Sequence, residues 1–400
     1  MSAQSLLKPF RTIGRAICQF FDGHASVKAI ELPGPKKVEW VRNMPYFGMH
    51  AACLLVLLVG FSWTAVAVCV ALYFLRMFAI TGFYHRYFSH KTFKTSRAFQ
   101  FVMAIWGLTA MQRGPLWWAA HHRHHHRHSD EHPDLHSPKQ RGMVWSHMFW
   151  FTTEAAFGTN QKSVHDLAKY PELRFLDRFD TLVYISFAVA LFFVGVALNA
   201  LFPSLGTSGF QILVWGFFLS TVLTYHGTYT INSLSHKFGS QRYKTGDDSR
   251  NNFWLALLTL GEGWHNNHHH YQSSTRQGFY WYEIDITYYI LKSMSWTGLI
   301  WELRPVPEKK LVSNRVGEGA MSMAEAAADA RPDHVAAPKK KTSIASTLGQ
   351  KAHDATDRLS KTAHEASDAI SKKAHDASDK LDELGKKASE TIARKAGGTA

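Results

Sequence analysis

Residues 181–236 read TLVYISFAVALFFVGVALNALFPSLGTSGFQILVWGFFLSTVLTYHGTYTINSLSH and contain no Asp, Glu, Lys or Arg. A helix needs about 20 apolar residues to cross the roughly 30 Å hydrocarbon core of a membrane. The stretch is therefore long enough for two crossings, with a turn at Pro203–Gly209. Such an uncharged length is hard to place in the core of a soluble helical protein. We predict membrane-spanning helices near 181–202 and 210–231.

A second uncharged stretch, from Pro45 to Leu75, precedes it. This stretch holds two further helices, near 44–60 and 63–83, when the residues at their ends lie at the membrane interface. Arg76 falls inside the second of these helices, and we expect its side chain to extend along the helix to the interface. Together the four helices predict an all-α membrane protein.

The distribution of charge orients these helices. The net charge is +14, with Lys and Arg before residue 43, between the two uncharged stretches and after His236, and with none in the turns around Phe61–Trp63 and Pro203–Gly209. Because positively charged loops stay in the cytoplasm, both termini and the segments 84–180 and 237–310 are expected there. Anionic membrane lipid is the natural partner of this charge, and nucleic acid is not expected.

Composition divides the chain into three parts. Residues 1–43 are a basic segment expected at the membrane surface, 44–310 contain the spans and the cytoplasmic segments, and 311–400 are a linker and a tail rich in Ala, Lys and Asp. The tail repeats every eleven residues: KAHDATDRLSK at 351–361, TAHEASDAISK at 362–372 and KAHDASDKLDE at 373–383. This period is close to helical, but its stripe is mostly Ala. We expect a solvated helix or disorder, with a lipid-contacting surface helix as the alternative.

The histidines are the candidate metal ligands of this sequence. Of the 24 histidines, many fall in three clusters in the two cytoplasmic segments. In the runs H-x-x-H-H at 122–126 and 265–269 the histidines are at i, i+3 and i+4 and share one face of a helix. Neutral imidazole suits iron, copper, zinc and nickel. The candidate ligands are His85, His90, His122, His125, His126, His236, His265, His268 and His269. They exceed the six positions of one octahedral ion, which favours two ions.

Other interpretations of the histidines have to be weighed. A single H-x-x-H-H run also fits a surface patch, one zinc site or a metal-storage tract, but three clusters on the same side of the membrane argue against accident. The histidines expected to be surface or supporting groups rather than ligands are His121, His124, His128, His132, His136 and His270. His50 and His226 lie inside predicted spans, where neutral, hydrogen-bonded side chains are expected.

The motifs resemble those of the membrane fatty acid desaturases over residues 45–308. The matching stretches are HRYFSH at 85–90, GPLWWAAHHRHHHRHSD at 114–130, DLHSP at 134–138, NSLSH at 232–236 and GEGWHNNHHHY at 261–271. The family pattern is HxxxxH, HxxHH and HxxHH, with Asn-x-x-x-His after the fourth span. All four parts are present, so the resemblance is specific.

This resemblance implies two irons held by histidines on a cytoplasmic helical cap above four transmembrane helices. One iron would be held by His85, His90, His122, His126 and His268. The other would be held by His125, His236, His265 and His269, with Asn232 contacting it through water.

The resemblance also implies the reaction. O2-dependent dehydrogenation would turn a CH2–CH2 unit of a long acyl chain into a cis double bond, at Δ9, with water as the by-product. No segment similar to cytochrome b5 is visible, so an external donor such as a ferredoxin would supply electrons. Trp118-Ala-Ala-His121-His122 replaces the W-A-R-D-H of animal acyl-CoA members, and GPLWW is similar to bacterial members. The substrate, acyl-CoA or acyl-lipid, is therefore open, and a bacterial inner membrane is the expected location.

Two rival functions stand beside this prediction. A histidine-rich membrane hydroxylase acting on alkanes or sterols would use similar spacings. A non-catalytic metal-binding or metal-transport protein would place its ligands inside the spans, whereas the clusters here lie outside them.

Overall fold

The structure is a computed structural model that describes residues 13–25, 27, 32 and 34–317. The repeat tail lies outside the described residues. The main helices are, in chain order, α1 (Trp40–Val59), α2 (Trp63–Ser89), α3 (Arg97–Leu108), α4 (Pro115–His128), α5 (Pro171–Arg178), α6 (Asp180–Leu201), α7 (Gly209–Leu213, Val214–Leu219 and Ser220–Ser233), α8 (Phe253–Leu258), α9 (His265–His270) and α10 (Ile286–Trp296).

Shorter elements connect these helices. The short helical turns are Pro138–Arg141, Trp145–Phe149, Trp150–Thr152, Glu154–Ala156, Gln161–Val164, His165–Ala168, Pro203–Leu205, Leu234–His236 and Glu308–Val312. Two short strands, Lys94–Thr95 and Ile300–Trp301, pair in antiparallel fashion with Lys94 opposite Trp301. The predominantly helical prediction is confirmed for the described residues.

Within the described part of the chain, three helices are long and apolar enough to cross a membrane: α1, α2 and α6. Helix α1 ends at Gly60, whose φ of 72° is a conformation that glycine adopts without strain. The side chains of Leu57 and Leu58 are 80% and 81% exposed. Such apolar surfaces suit contact with lipid rather than with water.

The predicted fourth span is helical but differs in composition. Helix α7 runs over the expected residues, and its second half, Ser220–Ser233, contains four threonines and His226. Its threonines 221 and 224 are fully buried against other helices. This polar content lowers the mean hydropathy of α7. Length and composition alone therefore do not identify α7 as a membrane-spanning helix, as they do for α1, α2 and α6.

Arg76 corrects one expectation. Its side chain does not extend to the membrane interface but is 1% exposed between α2 and α7. The guanidinium donates to the Thr221 hydroxyl at 2.6 Å and to the Thr109 carbonyl at 3.2 Å, and it also contacts the Ser220 hydroxyl. Oxygen acceptors on neighbouring helices therefore satisfy this charge inside the helix bundle.

The main hydrophobic core of the described residues lies where α2 meets α3, α4 and α5. Phe83, Tyr84 and Phe88 are fully buried there, together with Leu108 and Leu116. A smaller core near the C-terminal end of the described chain contains Tyr243, Phe279 and Leu311.

Residues 314–316 continue this smaller unit. The carbonyl of Asn314 accepts from the backbone N–H of Lys244, and Val316 donates its N–H to the carbonyl of Arg242. The ordered packing therefore extends beyond residue 310.

Candidate metal centre

The first histidine box owes its geometry to a change in helix type. Helix α2 changes from α-helical to π-helical over Ala79–Ser89. A π-helix bonds each N–H to the carbonyl five residues before it, and His90 donates its N–H to the carbonyl of His85. This bond brings the two rings to a centroid distance of 4.9 Å. In an α-helix, residues five apart point in different directions, so the π-helical turn makes the H-x-x-x-x-H spacing converge.

Two ordinary α-helical runs supply six more histidines. Helix α4 begins with Pro115 after Gly114, an arrangement favoured at helix N-termini. The Asp177 carboxylate accepts from the N–H of Trp117 at 2.7 Å and so caps this helix. Helix α9 is short and almost completely buried. Each run presents its histidines at i, i+3 and i+4 toward one side, as predicted from the spacing.

The nine candidate ligands come together in two groups, the second fully buried and the first buried at His85 and His268 and half-buried at the other three. In each group the ring nitrogens lie within 4.8 Å of one another. The first group consists of His85, His90, His122, His126 and His268. The second group consists of His125, His236, His265 and His269. The groups adjoin, since the rings of His126 and His269 are 4.5 Å apart. That either group holds a metal ion stays a prediction at this point.

Four carboxylates orient four of these histidines through Nδ1. The distances are 2.5 Å from His85 to Glu262, 2.9 Å from His125 to Asp134, 2.8 Å from His236 to Asp130 and 2.6 Å from His269 to Asp247. An ionised carboxylate only accepts hydrogen bonds, so each of these Nδ1 atoms carries the proton. The Nε2 atom then keeps its lone pair and is available to a metal.

Burial favours the neutral imidazole. It lowers the pKa of His90, His122, His126, His265 and His268 well below the ordinary value, and neighbouring histidines add to the effect. Burial also opposes ionisation of Asp134, but the nearby His125 outweighs it and holds the pKa of that carboxyl far below its usual range. At these five positions the ring is therefore a neutral nitrogen donor. At His125 burial also acts to lower the pKa, but the ionised Asp134 outweighs it and raises the pKa of that ring.

The donor set fits metal ions. Nε2 of His236 lies 3.1 Å from Nε2 of His265, and Nε2 of His122 lies 2.8 Å from that of His90 and 2.9 Å from that of His126. Such separations suit neighbouring ligands on one ion when each metal–nitrogen bond is about 2.0–2.1 Å long. Nε2 of His269 is buried and finds no hydrogen-bond partner among the described residues. One cation in each group would lie between the lone pairs of that group and satisfy them.

The histidines expected to be surface or supporting groups are not members of these two groups. His124 Nε2 contacts the Pro133 carbonyl at 2.9 Å, and His121 Nε2 contacts the Gly158 carbonyl at 3.2 Å. His132 is exposed, and the ring of His270 stacks on Tyr243 at 4.0 Å. His136 is different, because it is 5% exposed and lies next to His125 and Asp134, with which it could also hold an ion.

An apolar cavity leads to the histidines. It has a volume of about 390 Å³, and its wall includes Trp118, His122 and Asn232 beside the first group. A smaller void of about 40 Å³ shares these three residues and reaches His85 and His265. A substrate in the large cavity would therefore lie against His122 of the first group, and only the smaller void reaches His125 and His265 of the second group.

Sequence reasoning missed the four carboxylates as functional residues. Their signal was present, because Asp130 and Asp134 follow the second cluster within nine residues and Glu262 precedes His265 by three. Asp247 has no such local signal. It reaches His269 only because the loop after α7 folds back over α9.

Comparison with known proteins identifies the family. Residues 61–295 match the family described as fatty acid desaturase. The chain is 36% identical over 282 residues to an acyl-CoA C20 Δ5-desaturase of Anemone leveillei. This alignment covers 67% of the chain and 86% of the relative. It is 33% identical over 277 residues to an sn-1 stearoyl-lipid 9-desaturase of Anabaena variabilis, covering 68% and 97%.

A third relative broadens the range of products. The palmitoyl-monogalactosyldiacylglycerol Δ7-desaturase of Arabidopsis thaliana is 37% identical over 253 residues, covering 61% of this chain and 63% of the relative. The chain belongs to the fatty acid desaturase family, and it is an oxidoreductase of lipid metabolism. The relatives act on acyl-CoA or on acyl-lipid and place double bonds at different positions.

Proposed function

We propose that the chain is a di-iron desaturase that introduces a cis double bond at Δ9 of a long acyl chain. The observation that carries the proposal is the pair of histidine groups, four of whose members have Nδ1 held by a carboxylate. Iron accepts imidazole donors, and the metals would supply the oxidising chemistry with O2. The Anabaena relative, a 9-desaturase, supports the position of the double bond.

The reaction balances with an external reductant. The saturated CH2–CH2 unit loses two hydrogens, and O2 takes up these together with two protons and two electrons to leave as two waters. We propose a ferredoxin or a similar one-electron protein as the donor.

The ligand assignment follows the two groups. His85, His90, His122, His126 and His268 would hold one ion, and His125, His236, His265 and His269 the other. Asn232, whose side chain borders both cavities, would contact the second ion through water. Glu262, Asp130, Asp134 and Asp247 would keep four of the rings in position.

Residues of the cavity wall would position the acyl chain. The Gln112 amide donates to the Thr228 hydroxyl at 2.9 Å, which fixes the wall beside Trp118 and the histidines. Apolar side chains on α1, α6 and α7, such as Met49, Ala188 and Phe217, line another part of the wall and would exclude water there. Holding one C–C bond at a fixed place next to the metals is what sets the position of the double bond.

For the architecture we propose four spans, α1, α2, α6 and α7, with the catalytic unit at 44–310 and the 1–43 segment on the membrane surface. A linker and the repeat tail form 311–400, and the first residues of the linker pack on the catalytic unit. The cap and both termini would face the cytoplasm of a bacterial inner membrane. The positive-inside distribution of charge supports this orientation.

Product analysis tests the proposed reaction. The chain is expressed in a host that lacks Δ9-unsaturated fatty acids, and the double bonds of its lipids are located by mass spectrometry. We expect Δ9 monounsaturated chains that depend on O2. Hydroxylated chains in their place would favour a hydroxylase instead.

A further inference from the structure

The large cavity opens between two of the proposed spans. Three of its wall residues, Pro45 on α1 and Ile185 and Val189 on α6, also belong to the exposed outer surface of the protein. Ile185 is 40% exposed and Val189 is 50% exposed. Helices α1 and α6 both pack on α7 and have few contacts with each other. The cavity is therefore accessible from the side, at the level of the helices.

The depth of this opening places it in the hydrocarbon region. Val189 lies nine residues after Asp180, the first residue of α6, which is about 13 Å along a helix that rises 1.5 Å per residue. Phe193, one turn further along the same face, is 61% exposed and continues the apolar outer surface. The gap therefore faces acyl chains of the bilayer rather than water.

The end of the cavity nearest the first residues of α1 and α6 is crossed by the N-terminal segment 19–25, of which Gln19, Phe20 and Gly23 line the wall. The Arg42 guanidinium donates to the carbonyls of Gly23 at 2.6 Å and Ala25 at 2.9 Å. Gly23 donates its N–H to the Arg178 carbonyl at 2.7 Å, and the Thr181 hydroxyl donates to the Phe20 carbonyl at 2.6 Å. These bonds tie the segment to α1 and α6 across the end of the cavity.

Two of the described cationic groups at this end, Arg42 and Arg113, are already engaged by the protein. Besides its two carbonyl partners, Arg42 stacks on Phe157 at 4.3 Å. Arg113 contacts the Phe157 carbonyl at 3.4 Å and lies over Trp117 at 5.5 Å. Both guanidinium groups therefore already bind protein atoms, which disfavours their use as a site for the phosphates of coenzyme A.

We infer that the acyl chain enters the cavity sideways through the gap between α1 and α6, and that the substrate is an acyl chain esterified in a membrane glycerolipid. This inference rests on the proposed function, because it needs the metal centre to be the place of reaction. The reaction is the same O2-dependent dehydrogenation of a CH2–CH2 unit, with electrons from an external donor. The acyl chain stays attached to its lipid while it occupies the cavity.

Reconstitution with two substrates tests the inference. The full-length, iron-loaded protein is placed in vesicles of phosphatidylglycerol with a deuterated palmitoyl and an unlabelled oleoyl chain, and reduced ferredoxin is supplied. A second preparation receives deuterated palmitoyl-CoA in vesicles without labelled lipid. Intact-molecule mass spectrometry detects the loss of two deuterium atoms. We expect labelled product in the lipid and at most a small fraction of that rate with palmitoyl-CoA.

A matched pair of variants tests the gap itself. In Val189→Trp a large side chain stands in the opening, whereas Val194→Trp makes the same change at a position that is 47% exposed on α6 but does not line the cavity. In Val189→Trp the new side chain should obstruct the acyl chain, and the rate of lipid desaturation should fall by about 10-fold to 100-fold. Val194→Trp should keep the parental rate, and both variants should keep the parental iron content.

The outcomes separate the inference from the proposed function. Equal or faster desaturation of palmitoyl-CoA, or full activity of Val189→Trp, would overturn lateral entry of a glycerolipid and leave the desaturase intact. No product from either substrate with the iron-loaded protein would instead remove the proposed function, and the inference with it.

Discussion

Histidines in two regions of this protein behave differently. In the proposed metal centre, His85, His125, His236 and His269 each donate a hydrogen bond from Nδ1 to a carboxylate, and their rings group with other histidine rings. Between α1, α7 and the turn at Trp145–Phe149, three other histidines form a chain.

In this chain His226 uses both of its nitrogens. Its Nε2 lies 3.3 Å from His50, and its Nδ1 lies 3.0 Å from His147. The chain ends at the Ser233 hydroxyl, 3.0 Å from His147. Each ring is satisfied by its neighbour, so the rings do not converge on a common point. We therefore expect that clustering of histidines alone does not make a metal centre. In the proposed centre, a separate partner for Nδ1 leaves Nε2 available to a metal at four of the nine rings.

The largest effect is expected inside the second cluster. His125→Ala removes a proposed ligand and leaves the Asp134 carboxylate buried without its partner. Loss of a supporting group costs about 10–100-fold in activity or affinity, so loss of a ligand should exceed this and abolish product. His124→Ala, one residue away with its ring on the Pro133 carbonyl, should keep most activity. Lipid analysis and immunoblotting of membranes measure both variants. Equal loss at both positions would refute the helical-face assignment.

A smaller effect is expected at the carboxylates. Asp130→Asn replaces an acceptor for His236 Nδ1 with an amide, so the ring loses its fixed orientation. We expect activity and iron affinity to fall by about 10–100-fold. Glu131→Gln is the matched control, because the adjacent Glu131 side chain is 69% exposed. Iron titration and single-turnover product yield are the measurements. Parental iron affinity in Asp130→Asn would show that the carboxylate does not support the centre.

The histidine chain should respond in stability rather than in metal content. His226→Ala removes the middle ring and two neutral hydrogen bonds, each worth about 0.5–1.5 kcal/mol net. We expect a lower thermal unfolding temperature in detergent and unchanged iron stoichiometry. Loss of one iron per chain in this variant would contradict the distinction between the chain and the centre.

The smallest effect is expected in the repeat tail, which carries a third set of histidines at positions 353, 364 and 375. Truncation after Gly317 keeps residues 314–316, which pair with Arg242 and Lys244. This shortened chain should bind iron and desaturate like the full-length chain, because no proposed ligand is removed. If it binds iron but makes no product, the tail has a role in the reaction.

The sequence predicted the helices well where a single physical rule decides them. Lengths without charge placed α1, α2 and α6, and the i, i+3, i+4 spacing placed the histidines of α4 and α9 on one face. Neither rule predicts that His85 and His90 converge, because their convergence depends on a π-helical turn that the spacing does not specify.

Long-range contacts explain the other failures. Arg76 finds its oxygen acceptors on residues that are 33 and 145 positions away, so its burial has no local signal. Asp247 and His269 lie in different segments, and their contact depends on how the loop before α8 folds. Periodicity describes one element at a time, whereas these contacts are set by how elements pack.

The most direct test of the central claim is the metal content of the purified chain after anaerobic loading with Fe²⁺, measured together with product after addition of O2 and reduced ferredoxin. The two histidine groups predict about two irons per chain, since imidazole donors in each group can complete the coordination of one ion. They also predict one double bond formed for each O2 consumed in coupled turnover. A single tightly bound ion per chain, with no double bond formed after iron loading, would contradict the account.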